Sequence, residues 1–320
     1  MSQRKASILL LLASMMWGSS FVASKVCLNS GMLQFEIVFY RFLIGAVLMW
    51  LIFRKELRGI SRQTWKTGIA LGLVTTASFA AEMYGITMTQ TTKAAFITAT
   101  NVVMMPFLYW LVCHVKPGLR SVGAAMLALT GVGFLSLTGG SYAVEVGDLL
   151  LLLAALLYNV YALVTVTMGK DCTAAQMTFL QFASTAVFMG ILTLFQGSGG
   201  GFTLQSTGAV LYLAVMPTVV CYMIKNITIR YMSPVRCSLI LSTESVFCAI
   251  LSAIILHERI TMRMLFGIVL IFSGVLLEQL RSRKAVPAPR DTELTAEGME
   301  GDAAGPPEDA PAEQIDVNEA

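Results

Sequence analysis

The chain has 320 residues, of which 56% are hydrophobic and only 13% are charged, and its mean hydropathy is +0.72. Soluble domains contain about 25% charged residues, so this composition excludes an ordinary water-soluble fold and indicates a protein that folds in hydrocarbon. The formal net charge of +3 hides a division, because residues 285–320 contain ten acidic residues and one basic residue, Arg290. The rest of the chain therefore has 21 basic and 9 acidic residues.

Two kinds of site are not expected from the residue pattern. The six cysteines are scattered, with no C-x-x-C pair, which argues against a zinc site and against a disulfide framework. No G-x-x-x-x-G-K-[ST] loop is present to hold phosphates, and no basic face is interleaved with aromatic residues. We therefore expect no cofactor, no metal and no nucleic-acid partner.

Ten apolar runs follow one another, each close to the length of about 20 residues that a bilayer core requires. Backbone groups cannot stay unpaired in lipid, so the runs are predicted to be helices, and the alternation of a membrane barrel is absent. Residues 285–320 are rich in Ala, Pro, Glu and Asp and predict a disordered acidic tail. The predicted spans are residues 6–26, 33–53, 67–87, 92–112, 119–137, 147–168, 173–195, 207–227, 235–256 and 261–280.

A long internal repeat organises these spans. Shifting the sequence by 143 residues places Thr100 on Thr243, His114 on His257 and Gly131 on Gly274. We therefore predict an all-α integral membrane fold with two five-helix repeats, residues 6–138 and 147–281. Because five is an odd number, the two copies must be inverted relative to each other, and inverted repeats are typical of secondary transporters.

The distribution of basic residues predicts the orientation. With both termini in the cytoplasm, the inside positions collect fifteen Lys and Arg residues and the outside positions collect four, Lys25, Lys93, Arg259 and Arg263. This bias follows the positive-inside rule and predicts a multi-pass protein of the cytoplasmic membrane.

Several short motifs resemble a known family. They are Trp17-Gly18 with Phe21 and Lys25 in the first span, Tyr40-Arg41-Phe42 in the second span, and the two matched stretches. Together they resemble the drug/metabolite transporter superfamily, and within it the ten-helix members built from two EamA domains. The resemblance implies a carrier of small metabolites, commonly an exporter of amino acids or related compounds, with a central cavity lined by the third, fourth, eighth and ninth spans. The chain departs from the family pattern at one point. His257-Glu258-Arg259, after the ninth span, keeps the typical carboxylate, whereas His114-Val115-Lys116, after the fourth span, lacks it.

Four ionisable residues lie deep in predicted spans: Arg41, Glu82, Lys225 and Glu244. Such residues are costly in a bilayer unless they are paired or face water, so each is a candidate functional residue. The repeat offset places Glu82 on Lys225. One hypothesis is that Lys225 binds an anionic group of the substrate, and that Glu244 binds a cation or carries a coupling proton. The alternative is that Glu82 and Lys225 pair and lock the third and eighth spans together.

Smaller polar and aromatic side chains surround these charges. Thr98 and Asn101 share one helix face, Ser242 precedes Glu244 by two residues, and Tyr84 and Tyr222 are candidates for an aromatic wall. Hydroxyls in membrane helices also bond to neighbouring helices or to their own backbone, which is the alternative role for Thr100 and Thr243. The candidate cavity residues are Glu82, Tyr84, Thr98, Asn101, Tyr222, Lys225, Ser242 and Glu244.

A second set of residues is assigned structural or gating roles. Arg41 aligns with Gln181 and is expected to hydrogen bond to neighbouring helices. Pro106 and Pro217 are predicted to interrupt the fourth and eighth spans and to permit bending there. Gly68 and Gly72 allow a close helix approach, and Gly131 and Gly274 are expected to mark the same contact twice. The two histidines, at helix ends, are expected to cap or anchor them.

The sequence thus predicts a secondary active transporter that moves a small metabolite by alternating access, most simply as an exporter. The alternatives are an importer or exchanger of similar solutes, or a membrane receptor or assembly protein without transport. No paired nucleophile and base lies in the spans, so an intramembrane enzyme is not expected. The sequence does not determine the solute, the direction of flux, the coupling ion or the oligomeric state.

Overall fold

A computed structural model describes residues 3–113, 116–136, 145–168, 173–197, 199–200, 202–228 and 240–282. These residues form helices and short turns, and no strand occurs among them. The predicted acidic tail and His114 lie outside the described residues.

The first repeat has six helices that form its five spans. The first three spans are single helices, α1 (Gln3–Asn29), α2 (Gln34–Phe53) and α3 (Arg62–Met88). The fourth span is divided into α4 (Thr91–Thr98) and α5 (Asn101–Cys113), and the fifth span is α6 (Leu119–Ser136).

The second repeat follows the same order. Its first two spans are α7 (Val146–Met168) and α8 (Ala174–Gln196). The next span contains α9 (Leu204–Leu213), a π-helical segment (Ala214–Val220) and α10 (Cys221–Thr228). The last two described helices are α11 (Glu244–Ile255) and α12 (Met262–Ser282).

Length and composition make these helices membrane spans. Six described helical stretches are long and apolar enough to cross a bilayer, and three shorter apolar helices accompany them. Their large hydrophobic side chains are exposed on the outside of the bundle, as on Trp50 and Leu73, which requires lipid around them. The prediction of a ten-helix membrane fold in two inverted repeats is confirmed. The six long stretches are Arg4–Asn29, Gln34–Phe53, Arg62–Met88, Val146–Thr165, Ala174–Gln196 and Leu204–Lys225.

Local hydrogen bonds define where several helices begin. Ser61, Thr173 and Thr203 cap α3, α8 and α9. The hydroxyl of each accepts a hydrogen bond from the backbone amide three residues later, at 3.0, 3.3 and 3.1 Å respectively. Such caps satisfy amides that have no partner within the helix. These three residues therefore define the starts of α3, α8 and α9.

The packing of helices follows the repeat. In one group, α2 packs on α8, α4 on α11 and α6 on α12, and each pair joins equivalent spans of the two copies. In the other group, the contact of α3 with α7 is matched by that of α1 with α9 and α10. The contact of α1 with α11 is likewise matched by that of α7 with α4 and α5. An exchange of the two repeats thus reproduces the same set of contacts.

Glycines permit the closest of these approaches. A Cβ on Gly131 of α6 would meet the Gly267 carbonyl oxygen of α12 at 2.7 Å, and a Cβ on Gly274 of α12 would meet the Ala124 carbonyl oxygen of α6 at 2.7 Å. The two glycines therefore mark one contact twice, as predicted. Gly68 and Gly72 of α3 lie against Leu180 and Ser184 of α8, and a Cβ at either position would clash with them.

The two prolines differ in their effect on the helices. Pro217 lies in the π-helical segment, so the predicted irregularity of the eighth span occurs there. The predicted interruption at Pro106 is not seen, because α5 continues through that residue. The fourth span is broken earlier, at Ala99 and Thr100. A proline removes one hydrogen bond, whereas threonine hydroxyls that bond to the backbone provide the chain with an alternative to the helical ladder.

Substitution of the contact glycines should destabilise the bundle. Gly131→Ala and Gly274→Ala each force a methyl group against backbone atoms and should lower the free energy of unfolding by about 1–3 kcal/mol. The matched control is Gly133→Ala on the same helix, where a Cβ would meet nothing within 4 Å and the stability should be unchanged or higher. Thermal unfolding in detergent measures the stability of the three variants. Equal stability of all three variants would contradict the close α6–α12 contact.

Candidate functional site

Both repeats contain a helix break at the same position. In the first repeat α4 ends at Thr98 and α5 begins at Asn101, and in the second repeat a turn at Ser242 and Thr243 precedes α11, which begins at Glu244. The Thr100 Oγ1 donates to the Ile97 carbonyl at 2.6 Å, and the Thr243 Oγ1 donates to the Ile240 carbonyl at 2.6 Å. The alternative role of these two threonines, hydrogen bonding to their own backbone, is confirmed.

The breaks place polar residues at the starts of half-helices. Asn101 is the first residue of α5, and Glu244 is the first residue of α11. The first amides of a helix lack partners within it and carry partial positive charge. In secondary transporters, discontinuous helices of this kind point their free ends at substrates and coupling ions. The repeat therefore builds the same type of polar end twice.

The remaining predicted residues at the breaks have local partners. Thr98 is buried, and its hydroxyl donates to the carbonyls of Ala94 and Ala95 at 3.0 and 3.1 Å. The Asn101 carbonyl accepts from the Asn159 Nδ2 of α7 at 2.9 Å. Ser242 is buried at the second break. Thr98 thus stabilises the end of α4 through its hydroxyl.

Glu82 lies buried on α3 and is hydrogen bonded across to α7. The Tyr158 hydroxyl donates to the Glu82 Oε2 at 2.6 Å. Glu82 also lies within electrostatic range of Arg41. Within the described part of the chain, no ion pair joins Glu82 to Lys225, which would be the contact of a simple lock between the third and eighth spans.

Arg41 connects α2 with the π-helical segment. Its Nε donates to the Thr218 Oγ1 at 2.6 Å, and its guanidinium carbon lies 4.9 Å from the centre of the Phe79 ring. The Thr218 hydroxyl in turn donates to the Leu213 carbonyl at 2.8 Å. Arg41 therefore binds a neighbouring helix as expected, through a hydroxyl rather than through a carbonyl.

Lys225 lies between two aromatic rings. Its Nζ is 5.8 Å from the ring centre of Trp17 and 5.8 Å from that of Tyr161. Trp17 is held in place because its Nε1 donates to the Pro217 carbonyl at 2.7 Å. An ammonium over aromatic faces at this distance is stabilised by the negative face of each ring. The described contacts of Lys225 therefore include two aromatic faces, one from α1 and one from α7.

Glu244 lies where α1 and α11 approach most closely. A Cβ on Gly18 would meet the Glu244 carbonyl oxygen at 2.5 Å and the Cys248 amide nitrogen at 3.0 Å, so the glycine of the Trp17-Gly18 motif permits this contact. The Glu244 carboxyl lies within electrostatic range of Glu82, Arg41 and Lys225. The four ionisable residues singled out in the sequence therefore act on one another.

Sequence reasoning missed most of the aromatic residues around these charges. Tyr158 and Tyr161 lie one turn apart on α7, and Phe79 packs edge-on against Tyr158 with 6.1 Å between ring centres. Phe182 packs against Phe42 and Tyr222 at 5.4 and 5.3 Å. The spacing of Tyr158 and Tyr161 by three residues was the available signal, since it places both on one helix face.

The two predicted tyrosines have different surroundings. Tyr222 is buried and packs edge-on against Trp17 with 5.9 Å between ring centres, so it belongs to the aromatic group around the charges. Tyr84 does not. Its hydroxyl accepts from Gln196 at 3.1 Å and its ring packs against Phe35, near the ends of α8 and α2. Residues 82 and 84 differ by about 200° around the helix, which separates Tyr84 from the Glu82 carboxyl.

We define the central cluster as Arg41, Glu82, Lys225 and Glu244 together with the aromatic residues Trp17, Phe79, Tyr158, Tyr161, Phe182 and Tyr222. It contains two carboxylates and two cations inside a helical bundle. Among the described residues, no three His, Cys, Asp or Glu side chains are grouped so that they could hold a metal ion. The cluster has the chemistry to bind a small solute that carries charge and apolar surface.

Comparison with known proteins shows the family of the chain. The model of the EamA-like transporter family matches residues 4–137 and again residues 145–278. A protein of Archaeoglobus fulgidus named an uncharacterized transporter is 29% identical over 276 residues, which are 86% of this chain and 86% of that protein. Another of Clostridium kluyveri, with the same description, is 23% identical and is covered over 95% of its length, against 88% of this chain.

Further similarity extends over whole chains. Uncharacterized transporter YcxC of Bacillus subtilis is 25% identical over 310 residues, which are 89% of this chain and 98% of that protein. A solved crystal structure covers 88% of this chain and 99% of its own, with a TM-score of 0.65 and 15% identity, and therefore shows the same fold. Because the family model matches both halves and nearly the whole helical part, the chain belongs to the EamA-like transporter family.

Proposed function

We propose that this transporter is a secondary active carrier that exports a small metabolite, an amino acid or a related compound, by alternating access. In this proposal the two inverted repeats move relative to each other around the central cluster. The membrane is the cytoplasmic membrane, and both termini lie in the cytoplasm, which agrees with the excess of basic residues at the end where α1 begins.

One observation supports the proposal above the others, the pair of matched helix breaks. Asn101 and Glu244 begin half-helices at equivalent positions of the two copies. A broken helix inside a membrane protein is tolerated where it is buried in protein or lines a cavity. Two symmetric breaks beside charged residues are the arrangement expected of a substrate site at the interface of inverted repeats.

The charges suggest separate roles in binding. Lys225, held over Trp17 and Tyr161, would meet the carboxylate of a solute, because it is a cation whose charge lies over aromatic faces within the central cluster. Glu244 would meet the solute's ammonium group or carry a coupling proton. Glu82 is held by Tyr158 and Arg41 by Thr218, so these two would shape the site and balance its charge.

Transport by the purified protein tests the proposal. The protein is reconstituted in liposomes loaded with one unlabelled amino acid or cationic metabolite, and counterflow of the labelled solute is measured. A second assay imposes a pH gradient and measures accumulation. We expect at least one solute to show counterflow, and no flux with any small metabolite would favour a membrane receptor or assembly protein.

Glu244→Gln should separate the two roles of Glu244, because the amide keeps the size of the side chain but cannot exchange a proton. If Glu244 carries the coupling proton, accumulation driven by a pH gradient should fall by more than about tenfold while counterflow persists. If Glu244 binds the solute's ammonium, both activities should fall. The matched control is Glu56→Gln, an exposed carboxylate outside the helices, which should leave both activities unchanged. Full activity of Glu244→Gln in both assays would contradict a role of Glu244 in solute binding or proton coupling.

Exchange of Glu82 and Lys225 tests whether they form a simple lock. In the double variant Glu82→Lys/Lys225→Glu a carboxylate would lie over the faces of Trp17 and Tyr161, which repel negative charge. We therefore expect the double variant to transport less than about a tenth as fast as the wild type, and to unfold at a lower temperature. Restored folding and transport would show that the two residues act only as a pair that locks the third and eighth spans.

A further inference from the structure

The end of the bundle at which α1 ends has a set of contacts that the central cluster does not use. We call it the Lys25 end. There the turn between α3 and α4, residues Thr89 and Gln90, is held from two sides by charged side chains. We define the clamp as Lys25, Glu258 and the α3–α4 turn between them.

Glu258 of the second repeat caps α4 of the first. Its Oε1 accepts from the Thr91 amide at 2.7 Å, and its Oε2 accepts from the Thr92 amide at 3.0 Å and from the Thr92 hydroxyl at 2.8 Å. The residue at the N-cap position, Gln90, makes no capping hydrogen bond with its side chain. The carboxylate therefore supplies the acceptors that α4 lacks, and hydrogen bonds of this charged type are the strong ones.

The backbone of the α11–α12 connection positions Glu258. His257 has a φ of 56°, a left-handed conformation uncommon for residues other than glycine, and it directly follows Leu256, the C-cap residue of α11. The Glu258 amide donates back to the Ser252 carbonyl at 3.3 Å. The chain reversal thus directs the carboxylate of Glu258 away from its own helix and toward α4.

Lys25 holds the other side of the turn. Its Nζ donates to the Ile86 carbonyl at 2.7 Å and to the Thr89 carbonyl at 3.4 Å, which are free acceptors at the end of α3. A cation at a helix C-terminus and an anion at a helix N-terminus both interact favourably with the helix dipoles. One hairpin tip is therefore fixed by complementary charges from α1 and from the second repeat.

Another contact ties α4 to the second repeat at this end. The Lys93 Nζ lies 2.8 Å from the Asp148 Oδ1 and 3.4 Å from the Glu145 Oε2, both at the start of α7. Two hollows of about 500 and 400 Å³ also lie here, and both are bordered by Lys25 and Glu258. None of the four ionisable residues of the central cluster lines either hollow. The clamp thus borders two hollows that the central cluster does not line.

In the sequence, the opposite copy lacks the Glu258 cap of this clamp. The 143-residue offset, which aligns Thr100 with Thr243 and His114 with His257, places Val115 where Glu258 stands and Pro234 where Thr91 stands. The valine side chain has no acceptor, and proline has no N–H to donate. The acceptor and one donor of the cap are therefore missing together from the sequence of the opposite copy.

We propose that the clamp is the gate at the Lys25 end, and that the loss of its cap residues from the sequence of the opposite copy makes the empty carrier rest with this end closed and the other end open. The gate would give the carrier a preferred resting state between its two open states. The inference therefore rests on the proposed transport function. Opening would transfer the first amides of α4 from Glu258 to water, which is possible because they lie at the end of the bundle. An exporter gains from this bias because the empty site then faces the cytoplasm.

Cys248 is a native reporter for the gate. Its side chain is buried, and its Sγ lies 3.6 Å from the Thr91 carbonyl oxygen, directly beneath the cap. In a variant with Cys248 as the single cysteine, a membrane-impermeant thiol reagent added from the Lys25 end should react slowly. Glu258→Gln and Lys25→Met should each increase the rate roughly tenfold, because each removes charge-assisted hydrogen bonds that favour the closed state. The other five cysteines, Cys27, Cys113, Cys172, Cys221 and Cys237, are replaced by alanine.

The matched control is Glu36→Gln. Glu36 is a buried carboxylate at the same end, and it accepts from the Leu33 amide of its own helix at 3.2 Å rather than from another repeat. Removal of the Glu36 charge in Glu36→Gln should leave the rate of Cys248 labelling unchanged. Unchanged rates in both Glu258→Gln and Lys25→Met, with gel-filtration profiles like that of the parent, would overturn the proposal. A rate increase in Glu36→Gln as large as in Glu258→Gln would also overturn it, because it would indicate general loosening.

The assay separates failure of the gate from failure of the proposed function, because it uses no solute. A separate variant, Arg259→Cys, places a thiol at an exposed position of the same end and shows in intact cells or inverted vesicles which side this end faces. A reversed orientation or an absence of transport would therefore be recognised independently of the Cys248 rates.

Discussion

The structure depends on one constraint, that polar groups in a bilayer must find partners inside the protein. Continuous helices satisfy this constraint for most of the chain. At the two places where the fourth and ninth spans break, Thr100 and Thr243 satisfy it by bonding back to the carbonyls of Ile97 and Ile240. Each break places a polar side chain, Asn101 or Glu244, at the start of a half-helix, and at the first break the amides of Val102 and Val103 bond to the carbonyls of Ala99 and Thr100. The duplicated threonine therefore creates the same polar feature twice, and the inverted repeat brings both copies to one interface.

The charges of the central cluster follow from the same constraint. Arg41 and Glu82 are buried; Arg41 donates a short hydrogen bond to the Thr218 hydroxyl, and Glu82 accepts one from the Tyr158 hydroxyl. Lys225 is stabilised by aromatic faces, and Glu244 is surrounded by charges of both signs. Arg41 and Glu82 thus have hydroxyl partners on neighbouring helices, whereas the described contacts of Lys225 are with aromatic faces. This difference underlies the roles proposed for Lys225 and Glu244.

Much of the fold follows from the sequence, because apolar length and the 143-residue offset determine the number of spans and their inversion. Gly131 and Gly274 were predictable for the same reason, since duplicated glycines indicate a duplicated contact. The site was only partly predictable. Charged residues are identified by their cost in a membrane, but Tyr158, Tyr161 and Phe79 are ordinary in apolar helices, and only packing brings them to the charges. Tyr84 was misplaced because it follows Glu82 by two residues and so points elsewhere, and the break was assigned to Pro106 because hydroxyl bonding to the backbone leaves no distinctive sequence signal.

The central claim is that the two breaks meet in a shared, water-accessible site, and thiol accessibility at equivalent break positions tests it most directly. Single cysteines replace Asn101 and Glu244 in turn, and Ile250 on the lipid-exposed face of α11 serves as the control. We predict that a small water-soluble thiol reagent labels both break positions but not Ile250→Cys, and that a transported solute slows the labelling of Asn101→Cys, in which Glu244 is intact. Failure of the reagent to label either break position, or labelling of Asn101→Cys that no transported solute affects, would contradict a common site at the interface of the repeats.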